Sequence, residues 1–280
     1  MKLFIRRFQS DWASWLAVSF IALLPFGRLS EIPLSAFAIS LAFLASSAEN
    51  RIRIRAASKF VLPLFLCYWI PMLLSSFDSM AMHKSWVQSA AALRYLAAAL
   101  AMSVLLSPAS ARERVLRWTA WILLFWAFDA FVQLFLGRDL FGIAMHPDRL
   151  NALFVKKYQF FGPTLAMLSP LVLEHARRQW RPWAWAVSFA LILGAVMIAG
   201  MRAGWLTMAV VLITYMALMA KRENRELRQS LLTIPMLAVI VVSIAYFSSP
   251  LFQQRLDVTH AFTSGTERAL DASSMELSLI

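Results

Sequence analysis

Residues 118–136 read WTAWILLFWAFDAFVQLFL, an apolar run with one charge, Asp129. A helix crossing the hydrocarbon of a bilayer needs ~20 mostly apolar residues. A membrane β-strand would instead alternate apolar and polar positions over ~10 residues. The run does not alternate, so it reads as a helix with all its backbone hydrogen bonds satisfied internally.

Similar stretches lie on both sides, at 12–29, 32–47, 60–77 and 86–106, then at 159–174, 183–200, 203–220 and 230–247. Composition agrees: 60% of the 280 residues are hydrophobic, 15% are charged and the mean hydropathy is +0.65. A soluble domain of this length needs far more polar surface. The expected fold class is therefore all-α, a polytopic transmembrane helix bundle of about nine spans. Residues 1–247 are expected to form the membrane domain, followed by the segment 248–280 outside the spans. The basic start before the first span resembles a signal peptide, but no small-residue cleavage site follows, so an uncleaved anchor is expected. Cys67, the single cysteine, excludes an internal disulfide.

The net charge of +12 invites a nucleic-acid partner, but the positions of the cations argue for topology instead. Lys2, Arg6 and Arg7 precede the first span. Arg51, Arg53, Arg55 and Lys59 follow the second, and Arg112, Arg114 and Arg117 follow the fourth. Arg177, Arg178 and Arg181 follow the sixth, and Lys221, Arg222, Arg225 and Arg228 follow the eighth. Every second connection is basic, which places the amino terminus in the cytoplasm and the tail outside. Tryptophans such as Trp12, Trp118, Trp180 and Trp183 near span ends form an interfacial belt.

That topology accounts for 17 of the 27 basic residues. The other ten, Arg28, Lys84, Arg94, Arg138, Arg149, Lys156, Lys157, Arg202, Arg255 and Arg268, fall outside or within spans. An arginine at the centre of a membrane helix costs ~2.5–3.5 kcal/mol to insert, so such residues are candidates for function. Arg94 lies near the middle of the fourth span. Arg202 lies in Gly200-Met201-Arg202-Ala203-Gly204-Trp205-Leu206, where the seventh span turns into the eighth. Arg149, Lys156 and Lys157 belong to the external loop 137–158. Guanidinium groups clamp phosphate oxygens in pairs, so the guest expected at an outer-face cavity is a phosphate or pyrophosphate.

Structural readings stand beside this one. Arg28 and Lys84 snorkel to headgroups, and Lys156 and Lys157 suit anionic lipid equally well. Arg94 and Arg202 could pair with a carboxylate, Asp129 and Glu174 being the ones available in spans. His83, His146, His175 and His260 are scattered and read as solvated loop residues. No phosphate loop and no metal-ligand cluster is present in the sequence, so neither metal nor cofactor is expected.

Three stretches carry a family resemblance. Arg149-Leu150-Asn151-Ala152-Leu153-Phe154, with Tyr158-Gln159-Phe160-Phe161-Gly162 opening a span, resembles one motif of the O-antigen ligase/polymerase superfamily. Met201-Arg202-Ala203-Gly204-Trp205-Leu206 is similar to that family's turn between two helices. Arg255 and Asp271-Ala272-Ser273-Ser274 resemble the start of its large periplasmic loop. Met201 replaces a serine or threonine, and Ala152 an expected glycine.

The resemblance implies a metal-independent glycosyltransferase of the bacterial inner membrane, an O-antigen ligase of lipopolysaccharide biosynthesis. It would take glycan from undecaprenyl pyrophosphate on the periplasmic face and pass it to the lipid A core. Arg202 and Arg149, with Arg94 and Arg255, would bind the pyrophosphate, whose developing negative charge they stabilise. No catalytic residue is assigned. The family's loop histidine has no clear counterpart, which implies a truncated or frame-shifted chain, or a missing part supplied separately. An O-antigen polymerase, a transporter of anionic solute and an inactive truncated product stay open as alternatives.

Overall fold

The computed structural model describes residues 2–145, 150–154, 160–220 and 234–243, with side chains from residue 11 onward. Among those residues the regular elements are helices, without a β-strand, and 137–145 and 150–154 are non-helical; one isolated bridge joins Arg138 and Ala144. The helices are α1 (Lys2–Ala22), α2 (Glu31–Ala45), α3 (Ala48–Ser75), α4 (Met82–Ala91), α5 (Leu93–Leu105) and α6 (Ala109–Leu136). They continue as α7 (Phe161–Gln179), α8 (Pro182–Ile198), α9 (Arg202–Ala220) and α10 (Ile234–Ser243).

Among the described residues, five helical stretches are long and apolar enough to cross a membrane: Leu24–Ala45, Ala48–Ser75, Met82–Leu105, Ala109–Leu136 and Arg202–Ala220. None of the most apolar window of Ala48–Ser75 is buried inside the protein, and its Phe60, Leu64, Tyr68 and Leu74 are exposed. Apolar side chains turned outward along a whole helix belong in lipid. The described part of the chain is thus all-helical in its regular structure, with helices suited to a membrane.

Several expected boundaries need correction. The stretch 12–29 is not one helix. The α-helix stops at Ala22, and Leu24–Ser30 is a tighter 3-10 segment broken at Gly27, whose φ is 67°. Pro25 supplies no backbone N–H there, and Gly27 takes a left-handed conformation open to it because it lacks a Cβ. The stretch 86–106 is interrupted at Ala92, between α4 and α5.

The largest difference concerns the basic clusters. Arg51, Arg53, Arg55 and Lys59 do not sit in a connection but in the first turns of α3, and Arg112, Arg114 and Arg117 likewise sit in α6. Arginine and lysine are good helix formers, and Arg53 is held by Glu49 four residues earlier at 2.7 Å. A rise of ~1.5 Å per residue makes each of these 28-residue helices ~42 Å long, beyond the ~30 Å hydrocarbon thickness. Their charged ends can therefore stand in the headgroup region.

The chain divides into two compact units, Met1–Thr119 and Ala120–Ile280. In the first, Ala13 and Ala17 of α1, Leu34 and Phe37 of α2, and Ala98 and Ala101 of α5 form the core. The alanines let helix backbones approach closely, the usual device where lipid removes the hydrophobic drive between helices. Asp11 of α1 and Arg114 of α6 pair at 2.6 Å. In the second unit α7 packs on both α8 and α9. Its buried residues Phe161, Leu165, Ser169, Val172 and Ala176 recur every three or four positions, marking the inward face. The expected external segment 248–280 lies outside the described residues.

Candidate functional site

Arg202 is the first residue of α9 and is exposed. The turn that delivers it is built from small residues. Gly200, with φ 70°, ends α8 in the left-handed conformation common past a helix terminus, and its N–H donates to the Met197 carbonyl at 3.3 Å. The Trp205 Nε1–H donates to the same carbonyl at 3.0 Å. A carbonyl at the end of α8 thereby accepts a second hydrogen bond, from the first turn of α9.

This turn rests on the start of α7. A Cβ added at Gly204 would lie 3.2 Å from the Gly162 carbonyl carbon and 3.3 Å from the Pro163 nitrogen. One added at Gly162 would lie 3.2 Å from the Ala199 Cβ and 4.0 Å from the Met201 Cβ. The sequence stretches ending at Gly162 and beginning at Met201 are thus brought together across the α7–α9 crossing.

The segment after α6 closes over the same unit. Gln133 of α6 is fully buried. Its Oε1 accepts the N–H groups of Asn151 at 3.2 Å and Ala152 at 2.8 Å, and its Nε2 donates to the Ile143 carbonyl at 3.4 Å. Asp129, one turn earlier, accepts the Leu140 N–H at 2.9 Å. Within the turn, Asp139 accepts the N–H groups of Phe141 and Ile143. Phe154 packs edge-on against Trp126 at 5.3 Å and tilts against Phe161 at 5.6 Å. Within the expected external loop 137–158, residues 150–154 are buried, and α6 side chains hold the described backbone in place.

Ala152 occupies this buried stretch with φ 43°, the one positive-φ residue other than glycine among those described. Holding an L residue left-handed costs ~1–2 kcal/mol. Ala152→Gly is expected to raise stability by about 0.5–1 kcal/mol, and Ala152→Val to lower it by more than that. Thermal melts of the purified chain in detergent check both; an unchanged midpoint for the valine variant contradicts the assigned backbone.

The other candidate residues fare differently. Arg94 lies near the middle of the stretch Met82–Leu105, just past the break at Ala92. It is the second residue of α5, and its guanidinium pairs with Glu31 of α2 at 3.2 Å and lies over the Tyr95 ring at 5.3 Å. Its counter-ion is neither Asp129 nor Glu174 but a carboxylate at the head of α2. Glu174 instead pairs with Arg177 and Arg178 on its own helix. Arg94 belongs to the first unit and Arg202 to the second. His175 is no solvated loop residue: it is buried in α7, with the Trp180 ring edge-on at 5.5 Å. Arg149, Lys156, Lys157, Arg255, His146 and His260 lie outside the described residues. No group of three or more metal-ligating side chains occurs among the described residues.

No family model, no curated protein and no solved structure matches the chain.

Proposed function

We propose that the chain is a multi-pass protein of the bacterial inner membrane of the O-antigen ligase/polymerase type. In this reading nine helices cross the membrane with the amino terminus in the cytoplasm. The protein transfers glycan from undecaprenyl pyrophosphate to the lipid A core on the periplasmic face. The observation that carries the reading is the α7–α9 crossing, where the two best-resembling sequence stretches meet at Gly162 and Gly204. A second supports it: Ala152 stands where the family has glycine and adopts the left-handed backbone that glycine favours.

Arg202 carries the chemistry in this reading. It starts α9, so its guanidinium is offered at a helix amino terminus, a pairing suited to phosphate oxygens. Arg149 and Arg255 would add cations from the flanking segments. Arg94, tied to Glu31, is the weakest candidate of the four.

A charge-assisted hydrogen bond contributes ~1.5–3 kcal/mol, which is roughly a ten- to hundredfold change in affinity. Arg202→Ala is therefore expected to weaken binding of undecaprenyl pyrophosphate at least about tenfold. Arg202→Lys should fall between, because a point charge replaces a planar fork. The measurement is titration of undecaprenyl pyrophosphate into the full chain in lipid nanodiscs. Equal affinity for the parent and Arg202→Ala overturns the assignment. Transfer to lipid A core rather than to a second repeat unit separates ligase from polymerase.

A further inference from the structure

Asp129 is fully buried and Asp139 is 5% exposed, yet each carboxylate uses only one of its oxygens. Asp129 Oδ1 accepts the Leu140 N–H, and Asp139 Oδ1 accepts Phe141 N–H at 3.0 Å and Ile143 N–H at 2.7 Å. Asp129 Oδ2 and Asp139 Oδ2 are both buried without a hydrogen-bond partner. Leu140 directly follows Asp139, so Asp129 is bonded to the peptide unit that carries the second carboxylate. The two groups lie within each other's electrostatic reach.

Two adjacent carboxylates removed from water do not both stay charged without a compensating cation. The ion pairs of Glu174 with Arg177 and Arg178 in this unit engage neither carboxylate. Arg138, the cationic neighbour in sequence, is exposed.

We propose that Asp129 and Asp139 hold one positive charge in common through their Oδ2 atoms, as a site for a proton or a small hard metal cation. Hard cations prefer carboxylate and carbonyl oxygen. No third histidine, cysteine or acidic side chain joins the pair among the described residues, so a metal would complete its shell from backbone carbonyls or water. Occupancy would neutralise the pair and keep the turn 137–145 seated on α6. The inference stands on these two residues and does not depend on the pyrophosphate reading.

The test uses the purified full chain in detergent micelles, in metal-free buffer at neutral pH. Infrared spectra of the parent, Asp129→Asn and Asp139→Asn report a protonated carboxyl stretch. Thermal melts with Na⁺, Mg²⁺ or Ca²⁺ added singly report a metal. Asparagine keeps the Oδ1 acceptor and imitates the neutral state. A protonated-carboxyl band in the parent, lost in either variant, assigns a proton. A rise in the parent's midpoint of about 3 °C or more with one cation, absent in Asp129→Asn, assigns a metal. If the parent shows no protonated-carboxyl band and no cation raises its midpoint, the proposal is overturned. Both of those readings come from the parent, so they hold even where a variant fails to fold.

Discussion

Gln133→Leu is expected to cost on the order of 3 kcal/mol of stability, because it leaves two buried backbone N–H groups without an acceptor. Leucine fills nearly the same volume, so the loss is polar and not a cavity effect. The Asn151 and Ala152 N–H groups both end on Gln133 Oε1. An unsatisfied buried donor costs ~1–3 kcal/mol. The Ile143 carbonyl is spared, since it also accepts the Asp139 N–H at 2.9 Å. The bonds join positions 10 to 19 residues apart in the chain, so the substitution releases both arms of the turn from α6. Thermal melts in detergent should show the lowered midpoint, and limited proteolysis should cut within 137–154 sooner than in the parent. Gln88→Leu, an exposed change on α4, should stay within about 0.5 kcal/mol. A Gln133→Leu protein that melts with the parent contradicts the network.

The helices were legible because lipid demands long apolar runs, and each expected stretch has helix within it. Their ends were not legible. Hydropathy reports where a chain leaves hydrocarbon, and α3 and α6 leave it without leaving the helix, carrying Arg51 to Lys59 and Arg112 to Arg117 in their first turns. The partner of Arg94 was hidden for another reason. Glu31 lies far away in sequence at the head of α2, and nothing local marks a tertiary ion pair. The Gln133 site did leave a signal. Asp129 and Gln133 are four residues apart inside the apolar run 118–136, which puts two polar groups on one helix face. Weighing charges alone passed over the uncharged member of that stripe. The left-handed Ala152 left a signal only through the resemblance, which expects glycine there, because alanine by itself gives no hint of positive φ. The small residues of the Arg202 turn were the most readable part of the candidate site, since Gly200 and Gly204 are two of only eight glycines in the chain.

Gly204→Val is expected to cost about 3 kcal/mol, the upper part of the range for overpacking a tight interior. The argument rests on what a new Cβ meets. At Gly204 it meets the Gly162 carbonyl carbon at 3.2 Å, the Pro163 nitrogen at 3.3 Å and the Pro163 Cδ at 3.4 Å. These are backbone and ring atoms, and none can rotate away, so α9 must move off α7. Gly194 gives the contrast. Its Cβ would approach Phe131 Cζ still more closely, at 3.0 Å, but that atom is the tip of a side chain that can swing aside. Alanine also improves helix propensity over glycine by ~1 kcal/mol. Gly194→Ala should therefore stay within about 1 kcal/mol of the parent, while Gly204→Ala, meeting backbone, loses about 1–2 kcal/mol. Melting midpoints of the three variants give the order directly, and Gly194→Ala falling below Gly204→Ala contradicts the close α7–α9 approach. The same displacement would carry Arg202 away from the start of α7. If that crossing shapes the pyrophosphate site, Gly204→Ala should weaken undecaprenyl pyrophosphate binding at temperatures where the variant is still folded, and Gly194→Ala should not.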